Sequence, residues 1–337
     1  MIRPLTAALF VLLCITTLSA SAKQKPLPVR NQMPMSAVFL DFVPLSAYAL
    51  GKGEVEGRLS YHVANMVMCE SENGVTMRMD MEAHSLLADL AYGLSERTTL
   101  RTSFGYRWHT GGILDSKIEE VEKILGRQTP WARRRFEKNG TDWWTEEDGN
   151  FTFECLEPTR AVTDLNIELN WQATLQRNWL PAGAFRLGIK IPTAPKRNAM
   201  GTGGMDWGAG VAASWEYGAF STHINLDGAF VADHKGLAKT AFEDTDKLLT
   251  ATLAQVVGFG KRWEAVLQAD IRNNPYNTTI DSIIEEQSIE IHLGVRRHLA
   301  VGGNWFLVLT ENTSDKASPD FGILLGVEIR RVVGSDL

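Results

Sequence analysis

Apolar and polar residues alternate along many segments of this chain, and no other feature of the sequence restricts its fold as strongly. In residues 165–172 every odd position is apolar and every even position is polar. The same period of two recurs at 185–191, 207–215, 263–271 and 289–296. A period of two is typical of β-strands with one apolar and one polar face. Such strands belong either to a sandwich that faces water or to a barrel that faces lipid.

The links between the expected strands alternate in length, and this separates the two fold classes. Strands are expected near 54–69, 75–94, 97–109, 160–176, 183–192, 205–216, 219–232, 247–259, 262–272, 287–298, 302–311 and 320–332. Short links at 95–96, 178–183, 217–218, 260–261 and 299–302 alternate with longer polar links at 110–159, 193–204, 233–246, 273–286 and 312–319. Outer-membrane barrels have short periplasmic turns and long external loops, whereas a sandwich has no reason to alternate. We therefore predict an all-β fold, an up-and-down antiparallel transmembrane β-barrel of about 12 strands.

Aromatic residues cluster near the ends of the expected strands. Trp215, Tyr217, Trp263 and Trp305 lie near predicted periplasmic turns, and Trp108 lies near an opposite strand end. Tryptophan and tyrosine favour the membrane–water boundary, where the ring is apolar and its N–H or O–H stays hydrated. The alternative, core aromatics of a sandwich, fits this clustering less well.

The polar faces of these strands are expected to line the barrel interior. They carry charges of both signs, which a sandwich core would not tolerate but a water-filled or ion-paired lumen would. The candidate lumen-lining residues are Arg58, Arg101, Arg107, Glu168, Arg186, Lys190, Glu290, His292 and Arg296. Arg78, Asp80 and Glu82 are placed on the same inner face. Apolar positions are odd at 75–81 but even at 86–92, so a β-bulge is expected near 83–85.

The sequence divides into a signal, a lead-in and the barrel. Residues 1–22 combine Arg3, an apolar run at 5–18 and small residues at 20–22, which predicts a cleaved signal peptide and export to the outer membrane. Residues 23–53 contain four prolines, which disfavour a central strand, and are expected to form a periplasmic lead-in or a partial plug. The barrel is assigned to 54–332, and 333–337 to a C-terminal tail without the terminal aromatic residue that the barrel assembly machinery reads in many such proteins.

The link at 110–159 is too long for a simple connection. Ile118, Val121, Ile124 and Leu125 have helical spacing, which predicts a short amphipathic helix within this external loop. Arginines at 133–135 could bind lipopolysaccharide phosphates, or the loop could simply be solvated. Cys69 and Cys155 fall at expected external strand ends and could form a disulfide in an oxidising compartment.

Several short motifs resemble an uncharacterised family of Gram-negative outer-membrane proteins, domain of unknown function 3187. They are the residues at 28–34, the turn at 112–115 followed by Ile118 and Glu119, and 190–193 followed by 201–208. The last pattern is also similar to outer-membrane transport barrels. The resemblance implies a β-barrel in the outer membrane, with outer-membrane lipids and lipopolysaccharide around it, and no established activity.

No catalytic or metal-binding constellation is persuasive in the sequence. Ser221, His223 and Asn225 share one strand face, but i and i+2 neighbours lie about 6–7 Å apart, so no direct Ser221–His223 hydrogen bond is expected. The histidines lack metal-ligand spacing, and no cofactor is predicted. The chain has 34 basic and 40 acidic side chains, which argues against nucleic acid as a partner. The predicted function is a non-enzymatic channel for an unidentified small solute. The alternatives are a non-conducting structural or surface-binding barrel and, less favoured, a lipid-modifying enzyme.

Overall fold

The computed structural model describes residues 24–112, 114, 120, 140–277, 287–300, 302–313 and 319–332. The signal peptide expected at 1–22, the apolar residues of the expected helix and the arginines at 133–135 lie outside the described residues. No helix within the described residues is long and apolar enough to cross a membrane.

Antiparallel strands form nearly all of the regular structure. They are β1 (Glu54–Glu72), β2 (Val75–Ser95), β3 (Thr98–Thr110), β4 (Asp142–Glu147), β5 (Asn150–Cys155), β6 (Thr159–Val162), β7 (Leu165–Thr174), β8 (Ala182–Ile191), β9 (Asp206–Tyr217), β10 (Phe220–Phe230), β11 (Lys247–Phe259), β12 (Trp263–Asn273), β13 (Gln287–His298), β14 (Gly303–Asn312) and β15 (Phe321–Val332). Single 3₁₀ turns at Arg197–Ala199 and Lys235–Leu237 lie in the loops that precede β9 and β11.

The sheet closes on itself. Each strand from β7 to β15 pairs with its neighbour in sequence, and β15 returns to pair with β1 along its whole length. The pairings of β1 with β2, β2 with β3, and β3 with β7 complete a closed barrel of 12 antiparallel strands. Closure pairs each of the 12 barrel strands on both sides, so the barrel itself has no unpaired edge, which is what strands surrounded by lipid require. The predicted fold class is therefore confirmed.

The link at 110–159, expected to be one long external loop with a short helix, contains the strands β4 and β5 within its described residues, which the sequence did not predict. Thr110 of β3 lies opposite Glu82 of β2, and Asp142 of β4 lies opposite Asp80 of the same strand. Thus β4 continues the direction of β3, and the residues between them form an insertion within one barrel strand. The hairpin β4–β5 then returns towards β6 and β7. Strands β1, β2, β4 and β5 form a four-stranded extension beyond the external rim, which we call the extended wall.

Two-residue turns end both hairpins of the extended wall. Asn73 and Gly74 connect β1 to β2, and Asp148 and Gly149 connect β4 to β5. All four have positive φ, between 48° and 81°. Two left-handed residues in succession make the type I′ turn, whose twist matches that of the flanking strands. These turn residues explain why the extension forms two tight hairpins.

Strand β2 has no bulge near 83–85, which makes that prediction wrong. Its register with β1 is unbroken from Tyr92 to Val75. Odd positions face inward throughout, so Met77, Met79 and Met81 are buried on the same face as Asp89. The apolar residues switch from odd to even positions along β2 because the barrel interior is apolar near the external mouth and polar at mid-barrel. It follows that Arg78, Asp80 and Glu82 lie on the opposite face of β2 and do not line the lumen.

The outer surface of the barrel is apolar, and aromatic residues cluster at its two ends. On the external side the rings of Tyr61, His84 and Trp108 stack with centroids 5.2–6.1 Å apart. On the periplasmic side Trp263 and Trp305 meet edge to face at 5.6 Å. Leucines such as Leu253, 53% exposed, cover the band between them. This surface has the pattern of a transmembrane barrel between two aromatic girdles.

Arginine placed at the middle of this band should destabilise the barrel far more than arginine at its edge. We expect Leu253→Arg to cost about 2–4 kcal/mol, and Leu249→Arg, on the same face near the start of β11, about 0–1 kcal/mol. Reversible urea unfolding in lipid vesicles measures both values. Equal losses at the two positions would mean that this face does not contact hydrocarbon.

Candidate functional site: the lumen and the inner segment

Residues 24–53, called the inner segment here, lie inside the barrel. The Gln24 side chain donates to the Ala219 carbonyl at a periplasmic turn, and Leu50 N donates to Thr99 Oγ1 at the periplasmic start of β3. Between them, the Met35 carbonyl accepts a 2.7 Å bond from Tyr276 Oη in the loop that follows β12. The segment therefore runs from the periplasmic end to the external end and back.

Side chains of the wall hold much of the backbone of the inner segment, because the segment belongs to no ladder of the sheet. Gly53 N donates to the Gly93 carbonyl of β2 at 2.9 Å where the segment joins β1. Leu27, Leu40, Leu45 and Ala47 donate their N–H groups to side chains of the barrel. The acceptors are Gln268 Oε1 at 2.9 Å, Asp206 Oδ2 at 2.9 Å, Asn225 Oδ1 at 3.0 Å and Ser214 Oγ at 2.9 Å. Buried backbone groups need such partners, so much of the polar inner face of the wall serves to solvate the segment.

Wall glycines leave room for the apolar side chains of the segment. Gly188 of β8 and Gly208 of β9 lie directly opposite each other. A Cβ atom on either would come within 2.6 Å or 2.9 Å of the Phe42 ring. A Cβ on Gly294 would come within 2.6 Å of Leu27. The shape of the wall therefore fits the segment as closely as its hydrogen bonds do.

Arg186 is the most heavily bonded of the predicted lumen residues. It is 1% exposed and joins the wall to the inner segment. Its partners are Glu168 Oε2 at 3.1 Å, Asp227 Oδ2 at 3.0 Å, Asn225 Oδ1 at 3.0 Å and the Val43 carbonyl at 2.7 Å. Its guanidinium also lies 4.8 Å from the centre of the Phe42 ring. A buried cation needs this degree of compensation to be tolerated.

Lys190 and Arg296 make the same kind of junction at the two ends of the barrel. Lys190 Nζ lies 2.9 Å from Asp206 Oδ2 and donates to the Val38 carbonyl at 2.8 Å. Arg296 Nη1 lies 2.6 Å from Glu264 Oε2, and the same guanidinium donates to the carbonyls of Lys25 and Pro26. Each cation thus binds one wall carboxylate and one or two carbonyls of the segment.

The remaining predicted lumen residues are also buried. Arg272 lies between Glu290 at 2.6 Å, Asp270 at 3.4 Å and Asp41 of the inner segment at 3.1 Å. His292 contacts Asp270 at 3.0 Å, Arg58 pairs with Asp89 at 2.9 Å, and Arg101 lies 3.4 Å from Glu56. Arg107 donates to Ser85 Oγ and to the Ala37 carbonyl. All nine predicted residues are therefore buried inside the barrel; Arg107 bonds to neutral acceptors, and each of the other eight contacts a carboxylate or a basic side chain.

The sequence reasoning did not identify the charged residues that the inner segment itself contributes. Lys25 pairs with Glu56 and Glu328, Arg30 lies 3.9 Å from Glu168, and Asp41 binds Arg272. The signal available was the presence of isolated charges in a proline-rich stretch. Without strand periodicity, nothing in that stretch shows which charge faces which wall residue.

An apolar cluster covers the external end of the lumen. Methionines on the inner faces of β1 and β2 pack with Trp143 of β4 and with apolar residues of the external loops and the inner segment. The main members are Met33, Met35, Phe39, Met66, Met68, Met77, Met79, Met81, Leu237, Phe242 and Tyr276. His234 lies edge-on to Phe39 within this cover, and burial lowers the pKa of His234 to about 3. His234 is therefore uncharged at neutral pH within this apolar cluster.

Ser221 and His223 do contact each other, contrary to the expectation from strand spacing. Ser221 Oγ lies 2.9 Å from His223 Nε2, and Ser214 Oγ lies 2.8 Å from His223 Nδ1. The imidazole of His223 extends along the strand, and this brings its Nε2 atom to the hydroxyl of Ser221 two residues away. The three side chains have no exposed surface, and Asn225 bonds to both backbone groups of Leu45. The cluster thus bridges strands and anchors the inner segment.

The structure does not form the disulfide considered for Cys69 and Cys155, and both thiols are free. Cys69 lies opposite Arg78, Arg78 opposite Trp144, and Trp144 opposite Glu154, so β2 and β4 separate the two cysteines. Three strand spacings amount to about 14 Å, far beyond the reach of a disulfide. Burial raises the pKa of the Cys155 thiol to about 11.

The fold of this chain is similar to that of a solved outer membrane channel. The COG4313 outer membrane channel from Pseudomonas putida F1 superposes with a TM-score of 0.57 at 13% identity, covering 86% of this chain and 100% of that one. The NanC porin gives a TM-score of 0.46 at 9% identity, covering 82% and 98%. The CymD monoaromatic hydrocarbon channel gives 0.39 at 10% identity, covering 84% and 89%. At these identities the likeness concerns the fold.

Among curated proteins, no sequence matches this chain. One family does, over residues 3–330, and it is described as "Protein of unknown function (DUF3187)". That match spans both the inner segment and the barrel down to β15. The chain belongs to the DUF3187 family.

Proposed function

We propose that this protein is an outer-membrane channel for a small solute and that the inner segment is its plug. The observation that carries the proposal is the way in which the segment is held. Apart from backbone bonds where it joins β1, such as that from Gly53 to Gly93, its contacts with the barrel are hydrogen bonds that involve a side chain, ion pairs and apolar packing, and the ladders that close the barrel do not include it. The segment can therefore move while every strand pairing remains intact.

The polar inner face supports the same proposal. If the segment leaves, its former partners, among them Arg186, Lys190, Asp206 and Arg272, line an open polar lumen. A barrel that served only as a structural element would be cheaper to build with an apolar core, because buried ion pairs add little net stability. We infer a location in the outer membrane, with surrounding lipid and lipopolysaccharide and insertion by the barrel assembly machinery.

A second candidate function is a non-conducting structural or surface-binding barrel. The tight fit of Phe42 between Gly188 and Gly208 and the apolar cover at the external mouth favour it. Conductance distinguishes the two. Mature protein reconstituted in planar bilayers should show opening events if the segment is mobile, and complete absence of current together with absence of solute uptake by liposomes would support the non-conducting barrel.

Loosening the segment should increase conductance without unfolding the barrel. A side chain at Gly188 must displace the Phe42 ring, so Gly188→Val is expected to raise the open probability several-fold in planar bilayers. Gly57→Val is the matched control, because a Cβ at Gly57 meets nothing within 4 Å. Wild-type currents from a folded Gly188→Val barrel would show that the position of Phe42 does not control passage.

Fixing the segment to the wall should close the lumen. Ser46 Oγ and Ser214 Oγ lie 3.5 Å apart, so a Ser46→Cys/Ser214→Cys variant, made with Cys69→Ser and Cys155→Ser, should form a disulfide on oxidation. We expect conductance to fall to background when the variant is oxidised and to return on reduction. The Ser46→Cys single variant in the same background should not respond to the reductant. Unchanged current after verified cross-linking would contradict the plug.

A further inference from the structure

Two arginines from different parts of the chain line one cavity inside the barrel. Arg30 reaches the cavity from the inner segment and Arg107 reaches it from β3. Lys190, Asp41 and Asp164 lie around the same space. We infer that this cavity binds a small solute through an oxyanionic group, a carboxylate or a phosphate, held between the guanidinium groups of Arg30 and Arg107.

Arg107 is buried among neutral acceptors. Its Nε donates to Ser85 Oγ at 3.3 Å and its Nη2 to the Ala37 carbonyl at 2.9 Å. Other inner-face arginines have a carboxylate at 2.6–3.4 Å, namely Arg58, Arg101, Arg186, Arg272 and Arg296. Among the residues that the structure describes, Arg107 has no carboxylate within 4.0 Å. Within the described residues, Arg107 is thus the inner-face arginine of the wall that has no carboxylate at contact distance.

Arg30 has donors to spare. Its Nη1 donates to Ser103 Oγ at 2.9 Å. Its Nε and Nη2 are buried and have no hydrogen-bond partner among the described residues. Glu168 Oε1 lies 3.9 Å from Arg30 Nη2, beyond hydrogen-bond distance, and Glu168 Oε2 accepts a 3.1 Å bond from Arg186. Two N–H groups of Arg30 are thus available to a bound ligand.

The acidic residues that line the cavity each contact a cation other than Arg30 and Arg107. Asp41 pairs with Arg272 at 3.1 Å. Asp164 accepts the Ala194 N–H at 2.7 Å and lies 3.5 Å from Lys190. Lys190 is itself held by Asp206 at 2.9 Å. Three cations, Arg30, Arg107 and Lys190, and two carboxylates, Asp41 and Asp164, line the cavity, so the formal charge of its lining is positive.

Guanidinium chemistry indicates what would fill this space. A buried cation without a partner is costly, and a planar fork of N–H donors binds carboxylate and phosphate oxygens in pairs. Because Arg30 belongs to the plug and Arg107 to the wall, a bound oxyanion would also join the two. This inference rests on the proposed function for the route of the solute, since it names the class of solute, but binding itself can be measured without transport.

Isothermal titration calorimetry on the full mature protein in detergent micelles tests the inference, with inorganic phosphate and succinate as probes. We expect saturable binding of at least one probe with one site per chain. Arg107→Gln and Arg30→Gln should each weaken it about tenfold or more, because each removes charge-assisted hydrogen bonds. Arg97→Gln, at an exposed position in the periplasmic turn before β3, should bind as the wild type does.

Each outcome of the titrations either supports or overturns the binding site. Binding of phosphate alone, of succinate alone or of both supports the site and narrows the ligand class. Absence of wild-type binding, or wild-type affinity in both Arg→Gln variants, overturns it. Heat-modifiable gel migration checks folding. If Arg107→Gln fails to fold, Arg107→Lys must bind more weakly than wild type, because it keeps the charge and loses the fork. Binding without bilayer conductance would overturn the proposed channel but support the binding site. Conductance without binding would support the channel and overturn the binding site.

Discussion

The inside of this barrel depends on one requirement: the backbone of the inner segment must find hydrogen-bond partners in a space that contains no free strand edge. Side chains of the wall meet it, and this accounts for the positions of Asp206, Ser214, Asn225 and Gln268. The cations that bind segment carbonyls then need carboxylates of their own, which draws Glu168 and Glu264 into the interior. The dense ionic lumen is thus a consequence of enclosing an unpaired length of backbone.

Much of the barrel could be predicted from the sequence, because a period of two and a regular turn spacing are local signals. The strand ends agree with the structure to within a few residues along nearly the whole chain. The residues of the inner face could also be predicted, since the alternation of apolar and polar positions places Arg186, Lys190 and Arg296 there. Their hydrogen bonds to the inner segment could not be predicted. That segment has no periodicity, and it is separated from these residues by more than 100 residues of sequence.

The errors have a common physical cause. The rule that the apolar face meets lipid fails wherever another element covers the inner face. The methionines of β2 point inward although they are apolar, because the external loops and Trp143 cover them. From the alternation alone, this change of face looks like a bulge, which β2 does not have. Similarly, the distance argument for Ser221 and His223 considered the backbone, whereas the imidazole closes the gap through its own length.

The break between β3 and β4 has a consequence for how this surface can vary. Both strands pair with β2 in a single register, so the ladder is already specified on each side of the insertion. Residues can be added to or removed from the stretch between Thr110 and Asp142 without changing the shear of the barrel or the length of a hairpin. Such a position is suited to grafting a peptide epitope that would report on assembly of the barrel.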